Sequence, residues 1–539
     1  MKISRFLIIL LLGICYTKIM NNYTFTSLSL FGLLLVGCTF PTTSSTDGVS
    51  SMPSSNNLSS NPTSIEQEEL NWNLVWSDEF DDEGLPDSNK WGYDVGGGGW
   101  GNNELQYYTN ADLDNASVAN GHLTITARKE IIENREYSSA RLVTKNKGDF
   151  LYGRMEAKAK LPSGRGTWPA IWMLPTDWAY GNWPTSGEID IMEHVGYDPN
   201  VVHATIHTDT YNHSKGTQVG ESLILADVFD TFHTYAIEWE PGVIRAYIND
   251  NHYATFAFDV NDIVDGPSHL AWPFDKDFHF IFNIAIGGSW GGIQGVDTTI
   301  FPTSMVVDYV RVYQKPYGEN DTIDPTSITT PVIEKATSNT LALSWDPSSD
   351  NRQVRNYIVR VNGLVHSAPS VPAVYLDDLD PETTYDIQIT AVDFNQNLSA
   401  PFAFEATTLG YPTINQRIEA EAYTNQSGVQ FETTTDIGGG KNAGWLDTND
   451  YLEYIVNIPT IGNYQLQARV AANETSGQLQ VLANNQNKVT MDLPITNGWQ
   501  TWQTTTSTSF SLNAGLNTLR LRVVRSGFNL NYFQLIPSS

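Results

Sequence analysis

Beyond residue 70, apolar positions recur in short runs of Val, Ile, Thr, Tyr and Trp, broken by Gly, Pro, Asn and Asp. That is the spacing of strands that bury one face, and no long stretch carries a helical period. The pattern predicts an all-β chain of packed sandwiches. Breaks near Lys315–Asp324 and Leu409–Pro412 leave one large and two small sandwiches, of sizes normal for such folds. The expected division is 71–316, 325–409 and 413–537, preceded by a leader over 1–38 and a linker over 39–70.

The leader contains two apolar runs, Phe6–Ile14 and Leu28–Gly37. Neither reaches the ~20 residues that span a bilayer comfortably. Lys2, Arg5 and Lys18 supply positive charge, and the second run stops at Leu35-Val36-Gly37-Cys38. This resembles a bacterial lipoprotein signal, in which the cysteine is lipidated after cleavage. The resemblance implies a secreted, cell-surface protein anchored at the outer membrane through Cys38. From Pro41 to about Ser64, Ser, Thr, Asn and Pro dominate; such a segment cannot bury enough apolar surface to fold and reads as a flexible tether.

Composition narrows the partners. Sixty acidic against 30 basic residues give a formal net charge of −30, which repels phosphate backbones and anionic lipid. Nucleic acid is excluded on this ground, membrane contact is expected only through the lipid, and strongly anionic polymers are disfavoured as substrates. Aromatic residues make up 12% of the chain, with 15 Trp and 25 Tyr. That surplus suits ring stacking on uncharged sugar faces, although β cores are themselves rich in aromatics. Both cysteines, Cys15 and Cys38, lie in the leader, so the folded part has neither disulfides nor a Cys metal site. A monomer is expected.

The informative stretch is Ser186-Gly187-Glu188-Ile189-Asp190-Ile191-Met192-Glu193-His194-Val195. On a strand, Glu188 and Asp190 share one face while Ile189 and Ile191 share the other. Glu193, five positions from Glu188, falls on the wrong face by strict alternation. One extra residue, a bulge around Met192, brings it back. Three carboxylates on one face of a buried strand is an unusual arrangement, because close like charges raise one another's pKa. It is the arrangement that retaining glycoside hydrolysis needs: one carboxylate attacks the anomeric carbon, and a carboxylic acid ~5–5.5 Å away protonates the leaving oxygen and then activates water.

Glu188-Ile-Asp190-Ile-Met-Glu193 resembles the active-site motif of glycoside hydrolase family 16, in the laminarinase form that carries the extra residue; lichenases of the family lack it. The resemblance extends across about residues 72–314. It takes in Leu74–Phe80, Trp100–Tyr108, Thr167–Trp172, Phe232–Tyr235, Glu238-Trp239 and Val307–Tyr313. It implies a β-jelly roll with a cleft on its concave face, Glu188 as nucleophile, Glu193 as acid/base and Asp190 as electrostatic helper. It also implies substrate contacts from Trp168, Trp172, His207, Asn102 and Trp290. No cofactor is implied for catalysis, and a structural calcium near Glu79 and Asp308 is possible by analogy with some members.

Leu379–Tyr385, followed by alternating Ile387, Ile389 and Ala391, resembles the corner of a fibronectin type III domain. Tyr385 would be the corner tyrosine, Trp345 the core tryptophan, and the domain a spacer. The last segment, with Glu419–Tyr423, Asp436–Leu446, Asn497–Trp502 and Gly527–Phe533, resembles a family 6 carbohydrate-binding module. By that resemblance Trp445 and Trp499 clamp a sugar, Asn529 hydrogen-bonds it, and Glu419, Glu421 and Asn531 hold a calcium ion. The combined expectation is endo-acting, retaining hydrolysis of laminarin-type β-1,3-glucan. A same-fold enzyme for mixed-linkage glucan or a marine galactan is the alternative, and a non-catalytic β-glucan binder is disfavoured because both glutamates are present.

Overall fold

The computed structural model describes residues 69–538. The leader, its Cys38 and nearly all of the tether fall outside the described residues. The described part is all-β: many strands alternate buried and less buried side chains, the central Phe278–Ile286 is buried throughout, and two short 3₁₀ turns lie at Val260–Asp265 and Ser268–Leu270.

Residues 73–314 form two facing sheets, antiparallel except where Gln106–Tyr108 pairs in parallel with Arg135–Ser139. One is built around Gly153–Lys160, Thr303–Gln314 and His122–Ile132. The other runs from Val219–Ile224 through Val201–His207, Glu188–His194, Thr167–Pro175 and Phe278–Ile286 to Arg141–Val143. The core between them is aromatic and aliphatic, with Trp239, Tyr235, Phe278, Phe280 and Phe282 fully buried. In Thr167–Pro175, Ile171 and Met173 enter this core while Trp168, Ala170, Trp172 and Leu174 face the opposite side, as a period of two requires. A jelly-roll face is thus available for a site.

Residues 329–407 make a sandwich of a three- and a four-stranded sheet. Its Trp345 packs edge-on against Tyr357 at 5.2 Å, and the Asp380 backbone N–H donates to the Tyr385 hydroxyl at 2.6 Å. This is the fibronectin type III arrangement. Residues 418–537 form a third sandwich, of a seven- and a five-stranded sheet, around Tyr454, Phe528 and Phe533.

Candidate active site and sugar-binding cleft

The Glu188–His194 strand carries the expected bulge. Against Val201–His207, Asp190 pairs with Thr205 and Glu193 with His203, three steps on one strand facing two on the other. The neighbour on the other side agrees: Trp172 faces Asp190 and Ala170 faces Glu193. Ile191 and Met192, consecutive in sequence, both pack into the core with Ile189. Two inward side chains in a row are what return Glu193 to the face of Glu188 and Asp190. Gly187 leads into the strand at φ +89, where a Cβ would meet Phe274 and Pro273 at 2.9 Å, so the entry turn requires glycine.

The three carboxylates line a groove of about 380 Å³. Its walls include Trp100, Asn102, Trp168, Trp172, Trp178 and Trp183. Trp183 Nε1–H donates to Glu188 Oε2 at 2.9 Å, and Trp168 Nε1–H donates to Glu193 Oε1 at 3.0 Å. Each outer carboxylate is therefore held by an indole from the groove wall. Asp190, only 3% exposed, lies between them. Burial pushes its carboxyl up to about 8. Burial and the neighbouring Asp190 push Glu188 and Glu193 in the same direction, to about 8 each, while the Trp183 and Trp168 N–H groups pull the other way. Three acids buried this close together do not all ionise readily, so the cluster retains protons at neutral pH.

His207 stands beside the acids, as expected. It lies opposite Glu188 in the neighbouring strand, buried, with Nε2 3.4 Å from Asp190 Oδ2 and 3.8 Å from Glu188 Oε1. The side chain is buried and braces the two carboxylates. His203 and Thr205 stay out of the lining. Trp290 is half-buried beside the groove tryptophan, its ring edge-on to Trp168 at 5.4 Å and to His203 at 5.1 Å. Asn102, Trp168 and Trp172 are lining residues as expected.

One end of the groove holds a network the sequence did not disclose. Arg141 lies 4.7 Å from the rings of both Trp100 and Trp172, and pairs with Asp94 at 3.0 Å. Trp172 Nε1–H donates to Asn283 Oδ1 at 2.7 Å, and Asn283 Nδ2 donates to the Tyr108 hydroxyl at 3.0 Å. Tyr108 in turn donates to Glu104, which also accepts from Gln106 at 2.6 Å. The Trp183 loop is held by Ser186, whose hydroxyl donates to Gly181 O at 2.6 Å. These residues come from segments without strand periodicity or from strands far apart in sequence. A Trp five positions before Glu188 was the one available signal for Trp183.

Glu188, Asp190 and His207 each offer a ligand atom within 4.8 Å of the others, a spacing that would also accept a cation. Binding there would occupy Glu188 and is not needed for the acid–base chemistry. Glu79 and Asp308 are not gathered as a calcium site. Arg311 takes both Glu79 oxygens at 2.9 and 2.8 Å, and Lys158 takes Asp308 at 2.7 Å. Cations on adjacent strands already neutralise both acids.

In the third sandwich, Trp445 and Trp499, 60% and 48% exposed, flank a cleft of about 660 Å³ floored by Asn529. Asn529 Nδ2 donates to Glu432 Oε1 at 2.8 Å and to Trp499 O at 2.9 Å. Glu432, unforeseen in the sequence, also accepts from Gln500 and Asn442, at 3.0 and 3.2 Å, and lines the cleft. Exposed indoles over a polar floor fit a pyranose ring. Glu419 Oε2, Glu421 Oε2 and Asn531 Oδ1 are buried without hydrogen-bond partners, and Ala420 N bonds Asn531 O at 2.8 Å. Orphaned oxygens on adjoining strands fit a hard cation such as calcium.

Three family models match the chain: Glycosyl hydrolases family 16 over residues 103–300, Fibronectin type III domain over 325–405, and Carbohydrate binding module (family 6) over 419–537. A beta-glucanase of Rhodothermus marinus is 58% identical over 247 residues, spanning 45% of this chain and 85% of that protein. The clotting factor G alpha subunit of Tachypleus tridentatus is 30% identical over 533 residues, spanning 87% and 76%. The solved laminarinase structure from Rhodothermus marinus aligns with 56% identity over 46% of this chain and 99% of that one, at a TM-score of 0.45. The 58% match over most of a relative's length, with the family model matching residues 103–300, shows that the chain belongs to glycosyl hydrolases family 16 and is a glycoside hydrolase.

Proposed function

We propose that the chain is an endo-acting β-1,3-glucanase that cleaves laminarin-type glucans with retention of configuration. The observation that carries the reading is the bulged strand, which aligns Glu188, Asp190 and Glu193 along one tryptophan-lined groove. The beta-glucanase relative and a glucan endo-1,3-beta-glucosidase of Niallia circulans, 38% identical over 263 residues, support the substrate class. Glu188 attacks the anomeric carbon as the glycosidic bond breaks, and Glu193 gives its proton to the departing oxygen. Glu193 then takes a proton from water, which releases the sugar from Glu188. Asp190 and His207 set charge and orientation around Glu188. Trp168, Trp172 and Asn102 contact sugar, while the Trp445–Trp499 cleft retains the polymer and raises its effective concentration. Glu419, Glu421 and Asn531 hold a structural calcium. Lipidation at Cys38, display at the outer membrane and a monomeric state complete the reading on sequence pattern alone.

The test is a panel of laminarin, curdlan, lichenan and agarose, with products sized and their anomers followed by proton NMR. Laminarin oligosaccharides appearing first as the β-anomer are expected. Intact laminarin beside cleaved agarose would overturn the substrate, and α-anomer appearing first would overturn the retaining assignment.

A further inference from the structure

The catalytic sandwich and the fibronectin type III domain meet in a packed seam. Val371 of the second is buried in the core cluster of the first, and Phe394 stacks on Tyr317 at 5.0 Å and meets Tyr152 at 6.1 Å. Beside this seam three carboxylates converge from three segments: Asp321 in the joining segment, Asp350 in the loop after Leu341–Asp346, and Asp393 at the end of Thr384–Asp393. They are 2%, 5% and 1% exposed, and one oxygen of each lies within 4.8 Å of the others.

Uncharged N–H groups donate to all three. Asp321 Oδ1 accepts from Ile323 N at 3.1 Å and Asn351 Nδ2 at 3.3 Å. Asp350 Oδ2 accepts from Arg352 N and Gln353 N at 2.8 and 3.0 Å. Asp393 accepts from Asn395 N, Asn397 N and Asn397 Nδ2 at 2.8, 2.8 and 2.7 Å. Asp321 Oδ2 and Asp350 Oδ1 remain buried with no partner. Among the described residues none of the three makes an ion pair with Lys, Arg or His. Buried like charges with orphaned oxygens are unfavourable unless a cation joins them.

We propose that Asp321, Asp350 and Asp393 bind a calcium ion that clamps the joint between the catalytic and fibronectin type III domains. The donor set is all oxygen, without His or Cys, which selects a hard cation. Oxygens bound at about 2.4 Å to one calcium are at most about 4.8 Å apart, whereas magnesium demands a tighter octahedron at about 2.1 Å. Loop-borne ligands from three segments suit the adaptable calcium shell. Asp321 gives the ion its mechanical role, because it fixes the joining segment to two loops of the next domain. The fibronectin type III domain is then a rigid arm for the sugar-binding module rather than a loose spacer.

The test uses the whole chain, stripped with EGTA and titrated with calcium by calorimetry. Asp350→Asn and Asp321→Asn keep a hydrogen-bond acceptor while removing a charge, and Glu421→Gln serves as a control for the separate site in the third sandwich. Either aspartate variant is expected to lose one calcium per chain, or at least tenfold in affinity at that site, while Glu421→Gln retains it. Thermal melting supplies the second readout. In calcium, Asp350→Asn should melt below wild type; in EGTA it should melt at or above it, because the unneutralised repulsion is relieved. Calcium count and affinities both unchanged in the two aspartate variants would overturn the proposal, and so would an equal loss of melting temperature with and without calcium.

Discussion

Replacing Trp183 by Phe isolates the hydrogen bond that holds Glu188. The indole N–H lies 2.9 Å from Glu188 Oε2 and stabilises the ionised form, lowering a carboxyl that burial and Asp190 otherwise raise. A hydrogen bond to a charged group contributes about 1.5–3 kcal/mol, and one pKa unit corresponds to about 1.36 kcal/mol. The Glu188 side chain is 16% exposed, so water from the groove replaces part of the lost bond, and the low end of the range applies. The acid limb of log kcat/KM against pH should therefore move up by about one unit. Well below that limb the variant loses about tenfold, and on its alkaline side it approaches wild type. The phenyl ring keeps an aromatic wall, so sugar stacking is largely preserved. Initial rates on laminarin from pH 4 to 9 measure the limb directly. A loss of the same size at every pH would refute the reasoning, because it would assign Trp183 to substrate stacking or loop order instead of to Glu188 ionisation.

The folded-state carboxyl of Asp190, raised by burial to about 8 from the ordinary aspartate value of 3.8, keeps its proton where the unfolded chain has already released it, so stability falls as pH rises through that window. Asp190→Asn should thus melt above wild type at pH 8 by a margin that shrinks toward pH 4, while turnover drops; a margin that does not vary with pH in calorimetric melts would count against it. Trp445→Ala and Trp499→Ala should each weaken retention on immobilised laminarin by about tenfold, or ~1.4 kcal/mol, yet leave kcat on short soluble oligosaccharides unchanged; affinity electrophoresis and reducing-sugar assays report the two. Deleting Met192 restores strict alternation with all three acids still on one face, so measurable activity should survive in a less stable enzyme. A deletion variant that folds stably but shows no activity would contradict the role given to the bulge.

What could be read in the sequence was whatever a local period or a short motif encodes. Alternation gave the all-β class, and the odd spacing from Glu188 to Glu193 required one extra residue, which the register beside Thr205 and His203 contains. Side chains whose meaning depends on a distant partner were not legible. Glu79 and Asp308 read as bare acids because Arg311 and Lys158 face them only after the strands pair. His207 and Trp290 stand beside the acids and the groove tryptophan, and alternation alone cannot tell whether such a residue touches substrate or supports one that does. Arg141, Asn283 and Glu432 act through hydrogen bonds and stacking across segments, and Trp178 and Trp183 sit in an irregular loop, where neither period applies.

The groove wall and the acids are not separable parts in the proposed mechanism. Trp168 and Trp183 present a ring to the groove and an N–H to Glu193 and Glu188 respectively. A pyranose stacked on either ring excludes water from the neighbouring hydrogen bond, and a lower local dielectric strengthens that bond. Sugar binding therefore fixes the two carboxylates more firmly at the moment their placement matters. In the free enzyme the same acids are desolvated and mutually repelling, and they weaken the fold. Ile189, Ile191 and Met192 on the reverse face of the same strand bury fully and offset that cost. One strand thus carries a destabilising face for chemistry and a stabilising face for folding, and the bulge is where the two requirements are reconciled.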